Sequence, residues 1–179
     1  MTTVKAPTRT KKLTALFSDS DAAERAFQAC VDLGYEAGQI SVVISEATRK
    51  RLLAEHDETK SNLTERKAEG GELGGPSGGR VGILVTILAA VGAAVAIPTI
   101  GFIVGPIAVA LTAAGAAGAA AGLIGALANW GIPAERIREY ESGIQKGAIL
   151  IMLETTSESD AHEIETAWKK LGGRDIHYG

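Results

Sequence analysis

The residues able to do chemistry are few, and their spacing is poor. His56, His162 and His177 are the three histidines, and no two of them sit at a metal-ligand spacing. His162 lies in "SDAHEIE", which places it near a helix surface. Glu135, Arg136, Arg138, Glu139, Tyr140 and Glu141 crowd one segment, yet Glu135 with Arg138 and Arg136 with Tyr140 are the i,i+3 and i,i+4 pairs of an ordinary exposed helix. Ser142 and Lys146 share a face and could form a Ser-Lys nucleophile and base, but no oxyanion arrangement accompanies them. Cys30 is the single cysteine, which excludes an internal disulfide or a cysteine metal cluster. It falls on an apolar helical face, as a small hydrophobe would. "GGELGGPSGGR" at 70–80 is glycine-rich but lacks the Gly-Lys-Ser/Thr ending of a phosphate loop. These residues predict no catalytic, cofactor or metal site, and no enzyme. Tyr140 is the polar residue most worth locating, either as an anchor of its helix on a sheet or as the wall of a small pocket.

The elements that would position such residues fall into two related halves. "LTALF" at 13–17 reads as a strand, and "SDSDAAERAFQACVDLG" as a helix with Ala23, Phe27, Cys30 and Leu33 on one face. Gly34 ends that helix, and "ISVVIS" at 40–45 is a β-branched strand. Near the other end "AILIMLE" at 148–154 is again a strand. "SESDAHEIETAWKKLGG" repeats the Ser-[Asp/Glu]-Ser-Asp-Ala opening and the Leu-Gly ending of the first helix, and "RDIHYG" is a short last strand. Two βαβ units predict an α+β fold, a split ferredoxin-like βαβ–βαβ sandwich with helices on one sheet face. Residues 1–11 then form a tail, 12–45 the first half, and 131–179 a connecting helix with the second half.

Between the halves lies material of two kinds. Residues 46–80 hold a charged helix and the glycine-rich linker, with seven acids and six bases across 46–72. Residues 81–134 then run for 54 positions without Asp, Glu, Lys or Arg. Because the second half must return to pair with the first, a helical hairpin over 81–130 is the natural insertion. Limbs at 83–104 and 107–128 joined at Gly105-Pro106 would each measure roughly 33 Å, enough for a hydrocarbon core of about 30 Å. The first limb, with twelve Ile, Leu, Val or Phe, inserts at roughly −4 to −7 kcal/mol; the second, with six, at roughly −2 to −4 kcal/mol.

The second limb therefore needs the first, and its glycines supply the contact. Leu111, Gly115, Gly118, Gly122 and Gly125 form one small-residue stripe, and Gly101 with Gly105 form a G-x-x-x-G pair opposite. Pro98 kinks or breaks the first limb. With every basic residue outside the hairpin, the positive-inside rule puts the α+β domain in the cytosol and the hairpin in the inner (cytoplasmic) membrane. The N-terminal apolar run of five residues is too short for a secretory leader. The water-soluble alternative buries the same stripe between subunits, as a homo-oligomeric particle or filament. Both make another copy of the chain the partner. A formal charge of −3 offers no basic field for nucleic acid. A pore lacks a polar lining; a small-ligand sensor built on the sheet is the remaining alternative.

"NWGIPAERIREYESGIQKGAILIML", 129–153, resembles the bacterial general-stress-protein family with the heat-induced YflT-like domain. The Gly-hydrophobic-Pro start, central Tyr and Gly before an apolar strand recur as Gly131, Ile132, Pro133, Tyr140 and Gly147. "DAAERAFQACVDLGYEAGQISVV" after the opening strand is similar to the same family. The resemblance covers about half the chain. It implies a stress-associated, non-enzymatic role and a glycine-rich middle, and its motifs are structural punctuation.

Overall fold

The structure, a computed structural model, describes residues 10–55, 95–97, 100–113 and 115–179. Among the described residues it is an α+β fold of six helices on a six-stranded antiparallel sheet. In chain order the elements begin with β1 (Lys11–Phe17), α1 (Ser20–Asp32), β2 (Ile40–Ile44) and the helical residues 46–55, α2. Then come β3 (Val95–Ile97), β4 (Gly101–Val104), α3 (Pro106–Ala113) and α4 (Gly115–Asn129). The chain closes with α5 (Ala134–Gln145), β5 (Ile149–Thr155), α6 (Glu158–Lys170) and β6 (Arg174–Tyr178). The strand order is β3-β4-β2-β5-β1-β6.

β5 lies at the centre because it is apolar on both sides. Its Ile149, Ile151 and Leu153 face one core and its Leu150 and Met152 the other, which is why residues 148–153 read as a continuous apolar run rather than an alternating one. The first core joins α1 and α6 to the sheet through Phe27, Cys30, Ile164 and Trp168. Trp168 meets Phe17 edge to face at 6.0 Å between centroids, and its Nε1–H donates to the Ala26 carbonyl at 3.1 Å. Burial pushes the Cys30 thiol up to about 12, so the group stays neutral among hydrocarbon.

The second core occupies the opposite face and is built by the middle of the chain. Ile107 and Leu111 of α3, Leu123 and Leu127 of α4, and Ile137, Tyr140 and Ile144 of α5 cover Leu16, Val43, Leu150 and Met152. Helices therefore lie on both faces of the sheet, not on one as the sequence suggested. The insertion is part of the fold: it adds two strands beside β2 and a helical layer beneath them.

This arrangement corrects the expected hairpin where its residues are described. Residues 95–97 and 101–104, expected as the end of a first helical limb, are strands β3 and β4. The physical cause is visible in "VAIPTIGFIV": two β-branched runs flank a proline and a glycine, a pattern of strand, turn and strand. Gly105 precedes α3 and Pro106 is its first residue, where a missing N–H costs nothing. The expected second limb is two helices, with Gly122 non-helical inside α4 at φ 62° and ψ −159°. Among the described residues no helix is long and apolar enough to cross a membrane. The first limb's residues 83–94 and 98–99, with the kink expected at Pro98, and residues 56–80 of the charged segment lie outside the described residues.

Candidate functional site

Gly101 and Gly105, expected to pack helix on helix, instead bracket β4 against β2. Both take left-handed φ, 132° and 95°. A Cβ at Gly101 would stand 2.1 Å from the Ile44 carbonyl oxygen, and one at Gly105 would stand 2.4 Å from that of Ile40. Only glycine lets β4 lie this close to β2. The same approach lets the Ser41 hydroxyl of β2 accept from the Ile107 N–H at 3.3 Å, so the sheet itself caps the start of α3.

Leu111 is buried under the sheet rather than set on an outward stripe. Gly115 and Gly118 lie in the first part of α4, and Gly122 and Gly125 in its second. The break at Gly122 changes the helical phase, so spacings of 3, 4 and 3 no longer trace one line along a single helix. The four glycines and Leu111 are thus shared among two helices and a kink. The sequence spacing could not show this, because it assumed an unbroken helix.

Gly131, Pro133, Tyr140 and Gly147 are brought together around α5. Gly131 at φ 79° closes α4, where the Ile132 N–H reaches the Leu127 carbonyl at 3.1 Å. Pro133 is the N-cap of α5, and Gly147 at φ 97° follows its end. Tyr140 is fully buried and sits at the centre of this frame. Its hydroxyl donates to the Asp175 carbonyl at 2.8 Å and therefore accepts from the buried Thr14 hydroxyl at 2.5 Å. Arg136 donates to the same carbonyl at 3.1 Å. Asp175, at φ 51°, accompanies the register shift between β1 and β6, so α5 clamps the irregular edge strand. Burial raises the Tyr140 phenol, which keeps it a hydrogen-bond donor. The arrangement anchors a helix and leaves no open nucleophile.

Lys12, from β1, adds a second anchor. Its ammonium donates to the Trp130 carbonyl at 3.0 Å and lies 5.6 Å from the Trp130 ring centre. A cation there answers the negative end of α4. Trp130, which the sequence offered either to a membrane interface or to a domain junction, takes the junction.

At the other polar junction a hydrogen-bond chain runs in one direction. The Ser157 N–H donates to Thr155 Oγ1 at 3.0 Å, Thr155 bonds the Tyr35 hydroxyl, and Tyr35 donates to Asp160 Oδ2 at 2.8 Å. Ser157 and then Tyr35 hold the Asp160 carboxyl below its usual range. In the other half, Arg174 donates to Ser18. In each half a residue just beyond the helix end reaches across to the strand–helix junction of the other half.

The remaining candidates stay apart. Ser142 and Lys146 are joined by a backbone bond of 3.2 Å. His162 is exposed beside Glu165, and His177 is on β6. Among the described residues no three His, Cys, Asp or Glu side chains gather as metal ligands would.

What stands out instead is a surface. The exposed positions of α3 and α4 whose side chains are described are Pro106, Val109, Ala110, Thr112, Ala113, Ile124, Ala128 and Asn129, and none carries charge. Val109 at 54% and Ile124 at 47% are the large hydrophobic side chains most exposed to solvent among the described residues. Sequence reading found the missing charge but assigned it to a hairpin. The signal that would have relocated it is the β-branched pattern at 95–104. No family model matches the chain, and neither a curated protein nor a solved structure matches it.

Proposed function

We propose that this is a non-enzymatic, stress-associated structural protein that self-associates through the uncharged outer face of α3 and α4. The observation that carries the proposal is the exposure of Val109 and Ile124 on α3 and α4, two helices with no charged residue. Exposed apolar side chains gain by leaving water, and small neighbours such as Ala110, Ala113 and Ala128 let a second copy come close. The strand order β2-β5-β1-β6 within the sheet, with α1 and α6 as crossovers, supports a split ferredoxin-like core to which β3, β4 and α3–α5 are added. The stress-associated part of the reading rests on the sequence resemblance around Gly131, Pro133, Tyr140 and Gly147.

Anchoring in the inner membrane draws on the same absence of charge, but it has less material to use. With β3 beginning at Val95, the charge-free run ahead of the sheet is 81–94. That run lies outside the described residues, whereas Val109 and Ile124 are exposed on described helices, and association between copies rests on them.

A Val109→Lys/Ile124→Lys variant tests the reading. Both positions face solvent, so the variant should fold with the parent's circular dichroism while its particle mass falls to the monomer. Flotation of the parent with lipid vesicles, and retention of the parent's mass by the variant, would instead favour the membrane.

A further inference from the structure

Beyond the exposed face, we infer that α4 is a two-state helix hinged at Gly122, exchanging the broken form for one continuous helix. Gly122 has φ 62° and ψ −159°, a conformation that glycine adopts freely and other residues only under strain. Nothing described accounts for the break. α4 contains no proline, a common cause of a kinked helix. A Cβ built on Gly122 meets no described atom within 4 Å, so no described neighbour wedges the backbone open there. Gly101 and Gly105 differ, because β2 stands against each of them and fixes its conformation. The break depends on the freedom of one residue, and helical torsions at that residue would close it.

The two sides of the hinge are held differently. Leu123 and Leu127 are buried in the second core, and the Lys12 bond to the Trp130 carbonyl ties the far end. On the near side the sequence 115–121 is GAAGAAA, with no side chain larger than a methyl group. Little apolar area is therefore at stake when that segment changes direction. Helical torsions at Gly122 let the N–H groups of Leu123, Ile124 and Gly125 make i→i−4 bonds across it. Those bonds are set against the entropy glycine loses in a helix, a contribution of similar size. Two forms close in energy and separated by one residue's torsions make a hinge. Its bearing on self-association rests on the function proposed above. A continuous α4 of 15 residues offers an uncharged length of about 22 Å along one axis, which the break divides. A second copy on that face binds the continuous form better, and its binding draws α4 toward that form.

Gly122→Ala separates a hinge from a fixed break, and the Val109→Lys/Ile124→Lys background keeps that readout free of association. Alanine favours the helix over glycine but is strained at φ 62°. With a hinge, the folding equilibrium should hold level or rise by up to about fivefold. Amide hydrogen exchange at Leu123 and Gly125 should slow at the same time. With a fixed break, alanine is trapped in the left-handed region and the equilibrium should fall by about fivefold or more. A fall in stability, or exchange that does not slow, overturns the hinge. In the otherwise natural chain, Gly122→Ala should lower the concentration at which the oligomer dissociates in sedimentation velocity. An unchanged dissociation concentration overturns the coupling to self-association. A parent that never associates overturns both the coupling and the proposed function, while the exchange readout still decides the hinge.

Discussion

The sheet is covered on both faces, but the two covers are made of different material. On one side α1 and α6 are amphipathic: Ala23, Phe27, Ile164 and Trp168 point inward while Asp21, Arg25, Glu163 and Lys169 meet water. On the other side α3 and α4 bury Ile107, Leu111, Leu123 and Leu127 just as well, yet their outer positions hold Val109, Ala110, Ile124 and Ala128. Folding requires only the inner faces. The uncharged outer face is thus surplus to the fold, and that surplus is the strongest sign of function. α5 sharpens the contrast, since it sits in the same layer and carries Glu135, Arg138 and Glu139 outward.

If both inner faces are load-carrying cores, breaking either must be costly. Trp168→Ala removes the largest side chain of the first core together with its bond to Ala26, and should cost about 3–5 kcal/mol in denaturant titration. Gly101→Ala tests the second cover at its attachment to the sheet. The added Cβ conflicts with the Ile44 carbonyl and with a left-handed φ, so a loss of about 2–4 kcal/mol is expected by the same assay. If Gly101→Ala were neutral, β4 would not be packed on β2 as described.

Tyr140→Phe keeps the ring and removes the hydroxyl, leaving the Thr14 hydroxyl buried without that acceptor. A loss of about 1–3 kcal/mol in thermal or chemical unfolding is expected. A tyrosine serving a ligand rather than the helix clamp would show little change in stability.

The smallest expected effect is a pH dependence at β6. Burial, with Arg136 nearby, lowers His177 from 6.5. The unfolded chain therefore binds the proton more readily, so the His177 contribution is fully present above pH 6.5 and is lost as pH falls below it. The melting temperature should decline from pH 7.5 to 5, and His177→Gln should remove part of the decline.

How much of this was legible depended on whether a segment's pattern had one interpretation. The flanking halves did: Ala23, Phe27 and Cys30 at helical spacing, Ser157 before α6 and the β-branched "ISVVI" each point to one element. The run 81–130 did not, because an apolar stretch without charge fits a membrane helix, a buried helix or a strand covered on both faces. There the deciding information is local, in Gly101, Gly105 and Pro106, yet helical spacing makes Gly101 and Gly105 a packing pair and Gly105-Pro106 the turn between two limbs. The Tyr140 clamp was half visible. Its type and place suggested an anchor, whereas its partners Thr14 and Asp175 lie 126 and 35 residues away and become neighbours only through the sheet.

The central claim is that the charge-free face of α3 and α4 brings copies of the chain together. Sedimentation velocity of the purified chain without detergent, across a hundredfold range of concentration, tests it most directly. A discrete oligomer that dissociates on dilution or with Val109→Lys/Ile124→Lys is the predicted result. A single monomeric species at every concentration would contradict it.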